Sequence, residues 1–191
     1  SNVPNVPNFP PTRPVAPDIE RRMAVAVNFV AFQIGWFACV LGAAHGYALE
    51  GALVALAIVA AHIALAARPG RELALVAAAA ATGAVADSLL AASGWLRYDA
   101  GVLVEGTAPY WIVAMWALFA ITLNVSMRAL RSRLWLGALL GLVGGPAAYY
   151  AGANLGALTL VQLLPALAAL AAVWALASSH SMGASLALAR A

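Results

Sequence analysis

Residues 72–94 read ELALVAAAAATGAVADSLLAASG. A helix needs about 20 predominantly apolar residues to cross a hydrocarbon core of roughly 30 Å, and this stretch is long enough. Ala77–Ala81 is small on every face, which lets neighbouring helices approach closely where no hydrophobic effect operates between them. The segment before it, Arg68-Pro69-Gly70-Arg71, is a break: Pro and Gly interrupt a helix and two charges favour water. Working outward, the same reading gives six spans, at 24–44, 48–67, 72–94, 109–127, 134–151 and 157–177. Pro109 suits the first turn of the fourth, where its missing N–H costs nothing, and Arg128, Arg131 and Arg133 close it. The expected fold is all-α, a polytopic membrane bundle of six transmembrane helices over residues 21–178.

Composition agrees. The chain has 191 residues, 64% of them apolar and 9% charged, with a mean hydropathy of +0.91. A soluble domain carries about 25% charged residues, so this chain cannot cover a soluble surface. All ten basic residues are Arg. A cytoplasmic N-terminus puts nine of them inside and only Arg97 outside, which favours an even span count and both termini cytoplasmic. Trp95 and Trp111 are then expected at the outer interface, and Trp135 and Trp174 at the inner one. Residues 1–20 hold six of the ten prolines and read as an extended or disordered leader. The leader has no apolar core, so the first span is expected to serve as its own insertion signal. Residues 179–191 read as a short cytoplasmic tail.

Several function classes drop out. One cysteine, Cys39, makes no internal disulfide, zinc finger or iron–sulfur site. The arginines sit at helix ends without interleaved aromatics, so nucleic acid is not an expected partner. No cofactor motif and no metal site is expected; the nearest approach to a metal pair, His45 and Glu50, supplies only two ligands. Gly137, Gly141 and Gly145 follow a four-residue spacing that favours packing within the chain. The halves show no matching motifs of the kind inverted-repeat transporters carry.

Ionisable groups at membrane depth are the natural functional candidates. Asp87 lies seven residues before Gly94, roughly 10 Å below the helix end, and is the candidate catalytic residue. An ionised Asp at the bilayer centre costs about 2.5–3.5 kcal/mol, and protonating it at pH 7 costs about 4 kcal/mol. A partner or a watery cavity therefore decides its state. Arg97 is the expected partner, from the 96–107 connection that is the best candidate for an ordered loop or lid. Depth counting brings Ser88, His45, Tyr149 and Gln162 to the same outer level as ligand-binding candidates, with Tyr150 and Asn154 nearby. Asn28, His62 and Asn124, with Ser126, form an inner polar layer, and Gln33 lies between the two.

Asn28-Phe29-x-x-Phe32-Gln33-x-x-Trp36, Asp87-Ser88-Leu89-Leu90 before Gly94, Pro109-x-Trp111, Trp116-x-x-Phe119-Ala120-x-Thr122-Leu123, and Gly137-Ala138 leading to Gly144-Gly145-Pro146-x-x-Tyr149 occur in one order. With these marks the chain resembles the uncharacterised bacterial inner-membrane family catalogued as domain of unknown function 2878, over about residues 28–174. The resemblance implies a compact multi-span protein without assigned catalytic residues. It also implies a role near membrane-lipid modification, since members' genes often neighbour lipid-modifying enzymes of the cyclopropane-fatty-acid-synthase kind. The leading expectation is the handling or modification of membrane lipid, or of a small hydrophobic ligand, through an outer-half polar cavity around Asp87. The alternatives are an accessory subunit bound to partner membrane proteins and a proton-linked small-solute transporter.

Overall fold

The computed structural model describes the backbone of residues 16–130 and 133–190, and side chains for 18–128, 130 and 133–179. The first fifteen residues of the leader, with Arg13, and also Arg131, lie outside the described residues. Six α-helices follow one another: α1 (Ala16–Ala44), α2 (Ala48–Leu65), α3 (Pro69–Ala92), α4 (Tyr110–Leu123), α5 (Leu134–Asn154) and α6 (Leu163–Arg190). Among the described residues four of them, α1, α2, α3 and α5, are long and apolar enough to cross a membrane. Their outward faces carry large apolar side chains, Val27, Leu53, Val85 and Val143 among them, as lipid contact requires.

The boundaries depart from the sequence reading in three places. Helix α1 begins at Ala16, inside the Pro-rich leader. Residues 157–160 are loop and strand, and α6 starts at Leu163 and continues through the expected tail to Arg190. The fourth span contracts to 14 residues, about 21 Å at 1.5 Å per residue. Helix α4 is the hub of the bundle: eleven of its fourteen residues are buried, and it packs against α1, α2, α3 and α6. A helix enclosed by other helices need not match the bilayer thickness, because its ends open into protein rather than lipid.

Small residues set the helix spacings. Helices α1 and α2 cross where Gly51 lies against the Ala38 carbonyl, near Cys39, whose Sγ reaches the Gly51 carbonyl at 3.5 Å. The turn between them needs the left-handed backbone of Gly46 (φ 84°). On α5, Gly141 and Gly145 admit Trp174 of α6, so these two glycines of the row pack within the chain. On α3, Gly83 admits the Trp116 indole of α4.

A two-residue strand pair ties two loops together at one end of the bundle. Strand β1 (Leu96–Arg97), after α3, runs antiparallel to β2 (Thr159–Leu160), after α5. Leu96 faces Leu160, Arg97 faces Thr159, and the Gln162 N–H donates to the Trp95 carbonyl at 3.0 Å. The 96–107 connection is thus held at its start, and Trp111 Nε1 donates to the Ala100 carbonyl at 2.9 Å farther along. Two tryptophans expected at interfaces turn into the protein. Trp111 is fully buried, and Trp174 stacks on Trp116 with ring centroids 4.2 Å apart.

A methyl at Gly83 collides with the rigid Trp116 ring, whereas one at Gly144 meets open space. Gly83→Ala is expected to cost about 1–3 kcal/mol and Gly144→Ala nothing. Thermal unfolding in detergent compares them, and equal midpoints for the two variants would remove the packing role assigned to Gly83.

Candidate functional site

Asp87 sits in the last third of α3 and is 1% exposed. A carboxylate taken out of water needs its oxygens satisfied, and three donors converge on it. Tyr98 Oη donates to Oδ1 at 2.7 Å, Tyr149 Oη donates to Oδ1 at 2.5 Å, and Trp116 Nε1 donates to Oδ2 at 2.7 Å. They come from the α3–α4 loop, from α5 and from α4. Among the described residues no basic side chain touches the carboxylate.

Local structure explains each donor. Strand side chains alternate in direction, so Leu96 and Tyr98 turn inward while Arg97 and Asp99 turn out. That alternation delivers the Tyr98 phenol to Asp87. It also removes Arg97, whose Nε donates instead to Asp99 at 2.9 Å with both side chains largely exposed. The expected Asp87–Arg97 pair is therefore not formed. Burial first, and the adjacent Asp87 second, hold the Tyr98 phenol well above its ordinary pKa, so it stays a neutral donor. Trp116 is fixed by Gly83 below it, by Trp174 stacked on it and by Phe119 edge-on at 6.3 Å.

Of the expected outer cluster, only Tyr149 reaches Asp87. Ser88 points away: its hydroxyl donates to the Ala84 carbonyl and accepts from the Ala108 N–H, pinning the loop to α3. His45 is exposed and its Nδ1 meets the Leu41 carbonyl. Gln162 is exposed at the strand end; Tyr150 is exposed on α5, where its carbonyl accepts from Asn154 Nδ2. Depth alone cannot unite these groups, because residues at one level can face opposite sides of a bundle. Tyr98 and Trp116 are the partners the sequence reading missed. The in–out alternation of 96–99 was the available signal for the first; nothing local marks the second.

The inner layer does form, as two clusters at the opposite end. Asn28 Nδ2 donates to the Ile121 carbonyl at 3.2 Å and its Oδ1 accepts from Ser126 Oγ at 2.6 Å. Glu72 Oε1 accepts from Asn124 Nδ2 at 2.6 Å, and Glu72 Oε2 pairs with His62 Nε2 at 3.2 Å. These contacts tie α1 to α4 and join α2, α3 and the end of α4.

The open space lies elsewhere than expected. A cavity of about 310 Å³ lies between α1 and α5, floored by α4 and bounded by α6. Its lining is overwhelmingly apolar, with Trp36, Trp111, Trp116 and Trp174 on its walls. Asp87 is not part of that lining, but two of its donors, Tyr149 and Trp116, are. The outer-half polar cavity is thus replaced by an apolar cavity with the acid behind its wall. Gln33 lines it and belongs to neither inner cluster. Among the described residues no three His, Cys, Asp or Glu side chains gather to hold a metal ion.

Trp116→Phe leaves Oδ2 with no donor among the described residues and is expected to cost about 1–3 kcal/mol. Tyr98→Phe or Tyr149→Phe leaves Oδ1 one donor and costs less. Arg97→Ala, in an exposed pair, should stay within about 0.5 kcal/mol. Thermal unfolding ranks the four variants, and an Arg97→Ala loss matching that of Trp116→Phe would contradict the assignment of Asp87's partners.

No curated protein and no solved structure matches the chain. A family model described as "protein of unknown function (DUF2878)" matches residues 25–179, which takes in α1 from Val25 onward, α2 to α5, the strand pair and α6 as far as Ser179, and so the chain belongs to that family.

Proposed function

We propose that the protein binds, and handles or modifies, a hydrophobic molecule taken from the membrane, in the cavity between α1 and α5. The observation that carries this reading is the cavity itself. Its 310 Å³ falls at the lower end of the roughly 300–1,000 Å³ typical of small-molecule sites. It lies among helices whose outer faces are apolar, so a lipid can reach it without crossing water.

The placement proposed with it is a six-span protein of a bacterial inner membrane with both termini cytoplasmic. The arginine distribution supports that orientation. Arg68, Arg71, Arg128 and Arg133 flank helix ends opposite the strand pair, while Arg97 lies in it.

Asp87 serves this site from behind. It fixes the Trp116 indole and the Tyr149 hydroxyl, on two residues that line the cavity. Tyr149, hydrogen-bonded to a carboxylate, is the group on the wall best suited to exchange a proton with a bound molecule. Proton-linked transport asks for a carboxylate in contact with a solvated path. The enclosure of Asp87 by three donors weighs toward positioning instead.

Gly144 lines the cavity and has open space where a Cβ would go. Gly144→Phe should therefore fill the cavity and leave the fold intact. Native mass spectrometry of protein extracted gently from its own membrane is the test. The expected result is a defined hydrophobic molecule on the wild type that is missing from Gly144→Phe at an unchanged unfolding temperature. Identical spectra for the two, with bulk lipid only, would sink the reading.

A further inference from the structure

Three polar groups belong to residues that line the cavity and have no hydrogen-bond partner among the described residues. Gln33 of α1 lines it and its side-chain amide bonds to nothing described. Ser178 of α6 is 1% exposed and its hydroxyl likewise has no partner. Trp174 Nε1 is buried and unpaired. Elsewhere in the bundle the buried polar side chains are paired: Asn28, Asp87 and Thr122 each make at least one hydrogen bond. Unpaired polar groups inside a membrane protein are expensive, and three on residues around one cavity point to a partner that is not part of the chain.

The lining describes that partner. It contains no Arg, His, Asp or Glu. The nearest acid is Asp87, behind Tyr149, which gives an anionic head no counter-ion. A phosphate or carboxylate head therefore has nothing to neutralise it, while a neutral oxygen finds donors in Gln33 and Ser178. The walls are aromatic and sulfur-rich, with Phe32, Phe119, Met115 and Met127 beside the four tryptophans. Aromatic and thioether surfaces favour flat, polarisable groups over saturated chain.

We infer that the cavity binds a neutral, unsaturated lipid carrying a hydroxyl or carbonyl oxygen, and that Gln33 is the residue that recognises the oxygen. This rests on the cavity reading above and adds to it the ligand's charge, its unsaturation and the group that selects it.

The test titrates the full-length protein in detergent with three probes, read by native mass spectrometry. The probes are geranylgeraniol, its monophosphate and the fully saturated alcohol of the same skeleton. Geranylgeraniol is expected to bind best and the other two at least about tenfold more weakly. Gln33→Leu should weaken geranylgeraniol about tenfold, the worth of one buried hydrogen bond. Its unfolding temperature should be unchanged or raised, since the amide has no described partner to lose. Equal or tighter binding of the monophosphate overturns the neutral-head assignment, and equal binding of the saturated alcohol overturns the preference for unsaturation. Unaltered affinity in Gln33→Leu overturns the role of Gln33. If no probe binds but Gly144→Phe still loses a molecule from the native membrane, the ligand class is wrong and the cavity reading stands. If geranylgeraniol binds Gly144→Phe as well as wild type, the cavity reading itself fails.

Discussion

The hydrogen bonds that converge on Asp87 are the constraint on which the rest of the bundle depends. One carboxylate on α3 draws a tryptophan from α4, a tyrosine from α5 and a tyrosine from the intervening loop. A group buried in a low-dielectric interior costs several kcal/mol when unpaired, so these elements cannot drift independently. Helix α4 stays central and α5 stays in reach of α3. The loop must run as strand for long enough to turn Tyr98 inward. The β1–β2 pair does that, and it ties the α5–α6 connection to the same point.

What composition and spacing could reveal is the one-dimensional part of this architecture. Hydropathy locates six apolar segments, Pro69-Gly70 ends one of them, and the odd acid at Asp87 stands out against its surroundings. Depth along a span follows from counting at 1.5 Å per residue, and that depth points to Tyr149. The direction in which a residue faces does not follow when small apolar residues fill every side of a helix. Ser88 shares the depth of the cluster, yet its hydroxyl turns back to Ala84. Trp116 supplies the donor to Oδ2, and nothing in its local sequence marks it for that role. Charge complementarity misled in the same way: Arg97 looked like the natural partner, but β pleating points it at Asp99.

The cavity is a product of the same geometry. Helix α4 is packed by α1, α2, α3 and α6, while α5 packs chiefly on α6, and the space between α1 and α5 is left to the cavity. Glycines on α5 bring Trp174 close at one edge, and Gly144 leaves room at another. The rigid polar assembly and the open apolar space share a wall at Trp116 and Tyr149. What fixes the acid therefore also fixes the shape of the cavity.

The 62 residues that separate Asp87 from Tyr149 also bear on how the protein is made. Chains lengthen at about 5–20 residues per second, so about 3–12 s pass between the emergence of the acid and that of this donor. Tyr98 arrives 11 residues after Asp87 and Trp116 29 residues after it, so the site is completed in stages. While it waits, an unsatisfied Asp87 disfavours the settling of α3 into lipid by about 2.5–3.5 kcal/mol. The full stabilisation of α3 therefore awaits residues of α4 and α5, and the middle of the chain is completed as a unit.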